Sequence, residues 1–150
     1  MQLQSTRLGT RDAARSIDMF QAHAYDRLLE AYQPFGGVMS GDELVARLTG
    51  WVEQPISHVA HWIVEDCLIH FSPRGATCIP CFQFNGCAIR PLLQRAISEL
   101  RGPFDAFEVA QWFVTPNALA AWRAPAELVL AADPEVVAMA RTDRYLASGN

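Results

Sequence analysis

The stretch WFVTPNALAAWRAPAELVLAADPEVVAMA, residues 112–140, decides the reading of this chain, because its prolines divide it into helices too short for an ordinary amphipathic tail. A helix led by Trp112 stops at Thr115-Pro116-Asn117, an apolar linker follows, and two brief helices open at Pro125 and Pro134. Proline suits a first helical position, where its missing N–H would have had no partner, and Asp133 offers a carboxylate to cap the second of the two helices. Trp112, Phe113, Leu119, Leu128 and Val136 fall at intervals that any helical bundle would bury. Trp122 and Arg123 stand apart in a linker rich in alanine. An aromatic and an arginine on a short loop are the residue types that anchor interfaces, and Trp122 reads equally as such an anchor or as packed core.

Upstream, residues 12–33 carry Ala14, Ile17, Met19, Phe20, Ala24, Leu28, Leu29 and Tyr32 at helical intervals and end at Pro34 and Gly36-Gly37, which predicts one helix with a firm stop. Ser40 followed by Glu43 is a capping-box pattern opening a helix over residues 41–48, which Gly50 ends. A third helix is expected from Pro55 to about residue 66, with Ile56, Val59, Ala60, Ile63 and Val64 on its buried face. The two together have the spacing of a helix-turn-helix. The period then changes: Leu68, Ile69 and Phe71, the turn Ser72-Pro73-Arg74-Gly75, and Cys78, Ile79, Phe82 and Phe84 predict a β-hairpin whose second strand is an edge strand or is bulged at Pro80. Helices are expected again over residues 91–100 and 104–114, on either side of Gly102-Pro103. The fold class is therefore mainly α: a helical bundle with a small β-hairpin between helix-turn-helix-like N-terminal helices and a C-terminal helical lobe. Residues 67–86 mark a seam, giving an N-terminal region of residues 1–87 and a C-terminal region of residues 88–150, or one continuous domain.

With 150 residues, 51% of them hydrophobic and 19% charged, the chain can build a sizeable core. The formal charge of -4 argues against a surface dominated by basic groups, so nucleic-acid binding would need a local patch. Lysine is absent and all 12 positive charges are arginine, most simply a coding bias. No apolar run approaches a membrane span and residues 1–16 lack the apolar centre of a signal peptide, so a cytoplasmic protein with no membrane contact and reduced cysteines is expected.

Cys78 and Cys81 have the spacing zinc knuckles use, with Cys67 and Cys87 as further thiols. Strand geometry sends residues an odd number apart to opposite faces, so burial in the core is the expected role and no metal or other cofactor is expected. His58, His61 and His70 with Glu65 and Asp66 could gather round a metal or supply a base, but no nucleophile or oxyanion loop accompanies them. Ser57 and Ser72 lack a strand-turn-helix setting, and no glycine-rich phosphate loop occurs. No enzymatic activity is expected. A DNA-reading helix would use Ser57, His58 and His61, with Arg47 nearby, a poor set for phosphate contacts.

The order Trp112, Pro116, Asn117, Leu119, Pro125, Leu128, Asp133, Pro134 resembles the toxin-binding domain of the MbcA/ParS/Xre family of bacterial antitoxins. The segment GATCIPCFQF, residues 75–84, resembles the glycine–proline–FQF element that precedes the tryptophan helix in many relatives. GDELVARLTG and PISHVAHWIVED resemble their helical N-terminal part, so the likeness spans residues 38–147. It implies an antitoxin that binds a RES-domain, NAD-consuming toxin and occludes its active site, in some cases also repressing the shared operon. The partners it implies are the cognate RES-type toxin, with a homodimer and operator DNA as further ones. Carried over to this chain, the toxin contact falls to Asn117, Leu119, Trp122, Arg123, Pro125, Leu128, Arg141, Arg144 and the tail ending at Asn150. Where relatives have glycines, this chain has Ala120-Ala121-Trp122-Arg123. Side chains disfavour left-handed backbone, so a rebuilt loop is expected. The competing functions are a DNA-binding regulator using residues 41–66 and, more distantly, a zinc-binding module.

Overall fold

Short polar signals set the helix boundaries. The computed structural model describes residues 5–149 and consists, among those residues, of seven helices and two two-stranded antiparallel sheets: α1 Ser5–Tyr32, β1 Val38–Ser40, α2 Gly41–Leu48, α3 Pro55–Val64, β2 Cys78–Pro80, β3 Phe84–Asn85, β4 Ala88–Ile89, α4 Pro91–Leu100, α5 Ala106–Val114, α6 Pro125–Leu130 and α7 Glu135–Ala147. The mainly α fold with a small hairpin before the C-terminal helices is as expected. Ser40 Oγ accepts from Glu43 N (3.1 Å) at the start of α2. Asp105 and Glu108 form a reciprocal capping box on α5, with Glu108 N donating to Asp105 Oδ1 (2.8 Å) and Asp105 N to Glu108 Oε1 (3.2 Å). Asp133 Oδ1 accepts from Glu135 N (3.0 Å) to open α7. At the end of α1 the chain turns through left-handed Gly36 (φ 91°) and Gly37 (φ 71°), and Gly37 N returns to Tyr32 O (2.9 Å). Glycine supplies both dihedrals without the Cβ clash.

One hydrophobic cluster runs from Leu28 in α1 to Ala140 in α7. Tyr32, wholly buried, donates its hydroxyl to Ala110 O (2.6 Å) and thereby ties α1 to α5. Its ring stacks between Phe71 and Phe82. α4 and α7 form a close helix pair, with Leu93, Ala96, Ile97 and Leu100 buried on one and Val136, Val137, Met139 and Ala140 on the other. Fully buried Ala96 and Ala140 leave room for the backbones to approach.

Several expectations are corrected. First, α1 is already helical at Ser5, the first described residue, a full two turns before the apolar periodicity starts.

Second, the segment around Ile69 does not form a hairpin with residues 78–84. Only Phe71 and Cys78 exchange backbone hydrogen bonds (3.1 and 2.7 Å). Ile69 instead presents its N–H to Gln83 Oε1 and its carbonyl to Gln83 Nε2 (2.9 Å), while the same Nε2 reaches Pro80 O (3.0 Å). Gln83 is fully buried and satisfied at both ends, so one side chain does the work a strand would have done. β2 pairs with β1 in the register Val38↔Pro80, Met39↔Ile79, Ser40↔Cys78, and ends where Pro80 has no N–H to give.

Third, the hairpin that does form lies at Phe84–Asn85 and Ala88–Ile89, turning at left-handed Gly86, after the residues 68–84 over which it was expected. On α3 only Val59 is fully buried; Ile56, Ala60 and Val64 are exposed, contrary to the expected buried face.

Candidate functional site: a pinned loop after the tryptophan helix

α5 ends where Thr115 turns its hydroxyl back onto Gln111 O (2.7 Å) and Pro116 follows. Asn117 then organises the loop. Its Oδ1 accepts from Leu119 N (2.9 Å), an Asx turn, and its carbonyl accepts from Ala120 N (3.0 Å) and Trp122 N (2.9 Å). Its own N–H donates to Arg123 O (3.0 Å), closing the ring of residues 117–123. Arg123 Nε donates to Ala120 O (3.1 Å) across that ring.

The ring is pinned to the body by one carboxylate. Asp143 Oδ2, on α7, accepts from Trp112 Nε1 (2.6 Å) and from Asn117 Nδ2 (3.3 Å), so a single half-buried oxygen joins α5, the loop and α7. Asp143 was not among the expected site residues. Its signal is in the sequence: it shares a helix face with Val136, Met139 and Ala140, at an interval where an apolar residue would be expected.

Within the ring, Ala121 (φ 54°, ψ 42°) and Trp122 (φ 66°) are consecutive left-handed residues. The loop therefore takes left-handed backbone where the absence of glycine predicted another path. Each such residue costs roughly 1–2 kcal/mol, so the closure bonds from Asn117 and the Asp143 anchor hold a strained conformation. Its result is presentation: Leu119 and Trp122 stand 56% and 72% exposed while Ala120 between them is buried.

The nine residues nominated for partner contact fall into distinct groups. Asn117, Leu119, Trp122 and Arg123 come together on the loop. Pro125 and Leu128 are buried in the core, Leu128 completely, so they brace α6 beneath the loop and cannot touch a partner; this corrects their assignment. Arg141 and Arg144 point about 160° and 100° away from the loop-anchoring Asp143 around the helix, toward α4. Both engage Glu99 of α4: Arg141 donates from Nε and Nη2 to Oε1 (3.3 and 3.0 Å), and Arg144 Nη1 lies 2.8 Å from Oε2 as an ion contact. The Arg141 hydrogen bond, with the charges of Arg141, Arg144 and Arg95, holds the Glu99 carboxyl below its ordinary range against a smaller opposing effect of burial. Asn150 lies outside the described residues.

The residues considered for DNA are exposed. Ser57, His58 and His61 line a shallow groove with Val52, Glu53 and Gln54, and Arg47 lies on α2. His58 packs edge-on against Trp62 (4.4 Å). Cys78 ends up in β2 and Cys81 in the turn after it, where burial raises both thiols above their ordinary range. Among the described residues no three His, Cys, Asp or Glu side chains converge as a metal site, and no helix is long and apolar enough to cross a membrane. Comparison with family models, with curated proteins and with solved structures yields no match.

Proposed function

We propose that this chain is an antitoxin-like binding protein that acts in the cytoplasm by seating the Leu119–Trp122 loop on a RES-domain, NAD-consuming enzyme and occluding its active site. The observation that carries the reading is the exposure of Trp122 on a strained, hydrogen-bonded ring. A large aromatic held out of the core at a conformational cost has no folding benefit, and tryptophan is the residue type most enriched where binding energy concentrates. Rigid presentation also lowers the entropy lost on docking. The sequence likeness supplies the class of partner. In this reading the protein contributes no chemistry of its own.

The test is NAD consumption by a purified RES-domain enzyme. One equivalent of the protein should suppress turnover, and Trp122→Ala should raise the concentration needed by at least about tenfold, the effect of losing a binding residue worth some 1.4 kcal/mol or more. Unchanged turnover at excess wild-type protein contradicts the proposal.

A further inference from the structure

A cavity of about 280 Å³ lies where three segments meet: residues 66–70 after α3, the end of α4 and the start of α5. None of its lining belongs to the loop of residues 117–123. Its interior is apolar, lined by Leu68, Ile69, Ile97 and Val109, all buried in the core. Its mouth carries both signs of charge, with exposed Asp66, Asp105 and Arg101 and the half-buried His70.

Asp66 stands where two preferences oppose it. Its backbone is left-handed (φ 49°) at the residue that closes α3, where Cys67 N donates to Trp62 O (2.8 Å), a position that favours glycine or asparagine. A carboxylate there also faces the negative end of the helix dipole. The side chain holds His70, whose Nε2 donates to Asp66 Oδ1 (2.9 Å), and its second oxygen has no partner among the described residues. Asp105 commits Oδ1 to Glu108 N (2.8 Å) as the cap of α5. Arg101 borders the same cavity as both carboxylates and, among the described residues, forms an ion pair with neither. Opposite charges are thus held round one small space without neutralising each other.

We propose that this cavity binds a free apolar α-amino acid of the size of leucine or phenylalanine. The ligand's carboxylate meets the planar fork of Arg101, its ammonium meets the second oxygens of Asp66 and Asp105, and its side chain enters between Ile69, Ile97 and Val109. Only a zwitterion satisfies both signs. A plain carboxylate leaves two acidic groups facing it, and a plain amine faces Arg101. The volume lies at the lower edge of the roughly 300–1,000 Å³ of ligand sites, which admits an amino acid and is too small for a nucleotide. A ligand of so few atoms binds with a dissociation constant between about 10 µM and 1 mM.

Amide NMR titration of the full chain with L-leucine and L-phenylalanine, each to about 20 mM, covers that range. At least one of the two should shift the amides of Ile69, His70 and Gly102 saturably. Leucinamide and isocaproate, which each lack one charge, should bind at least about tenfold more weakly than leucine. Arg101→Gln should lose affinity to the same extent, as should Asp66→Asn, in which asparagine still accepts the left-handed backbone. Arg95→Gln, on α4 but outside the cavity, should bind as the wild type does. No saturable shift with either amino acid, equal binding of either singly charged analogue, undiminished affinity in Arg101→Gln, or an equal loss in Arg95→Gln overturns the proposal.

Discussion

Replacing Asp143 with alanine tests whether one carboxylate holds the loop in place. The Trp112 indole N–H donates to Asp143 Oδ2 at 2.6 Å and the Asn117 amide at 3.3 Å. Hydrogen bonds to a charged group contribute about 1.5–3 kcal/mol each; the longer one belongs at or below the bottom of that range, so the pair is worth roughly 2–4 kcal/mol. For a chain of this length each kcal/mol moves the melting temperature by about 2–4 °C, which predicts a fall of some 4–16 °C. Urea unfolding followed by circular dichroism measures it directly, and a double-mutant cycle with Asn117→Ala separates the loop contact from the indole contact. The coupling between Asp143 and Asn117 should be at least about 0.5 kcal/mol. A loss below about 0.5 kcal/mol for Asp143→Ala, the size of an ordinary surface change, would refute the anchor, as would strict additivity in the cycle.

Other consequences are smaller or lie elsewhere. Ala121→Gly relieves a left-handed penalty of about 1–2 kcal/mol and adds about 0.4–1 kcal/mol of unfolded-state entropy, so thermal melting should show a net gain near 0.5–1 kcal/mol; a destabilised variant contradicts the strain. Gln83→Ala strips partners from Ile69 N, Ile69 O and Pro80 O and should cost about 3–5 kcal/mol in urea unfolding, while a loss under 1 kcal/mol would mean the staple is idle. Glu99 is held below its ordinary value by Arg141, so its contribution to stability is complete above about pH 4.5 and is lost as pH falls through the lowered folded value. Glu99→Gln should therefore flatten the acid limb of stability against pH, and superimposable acid limbs contradict the clasp.

The helices were legible because their ends are marked locally: Ser40 and Glu43, Pro55, Pro91, Pro125 and Asp133-Pro134 each act within one turn of the boundary they set. The pairing of β2 was not legible, because its partner β1 lies about 40 residues away and the competing claim on Ile69 comes from a single buried side chain. Gln83 looks like any strand residue until both ends of its amide find backbone. At the candidate site, the apolar pattern identified the loop but not its conformation. Ala121 and Trp122 disfavour left-handed backbone, and only bonds from Asn117 and Asp143, the latter 26 residues further along the chain, overrule that preference. Leu128 and Pro125 were nominated because of where they fall in the motif, while burial assigns them to bracing.

The most direct test is a calorimetric titration of a purified RES-domain enzyme with the wild-type chain and with Trp122→Ala. The wild type should bind one to one and tighter than micromolar, and the variant at least about tenfold more weakly, with an unchanged melting temperature because Trp122 contributes nothing to the core. Equal affinities for the two proteins, or no binding by the wild type, would contradict the proposed function.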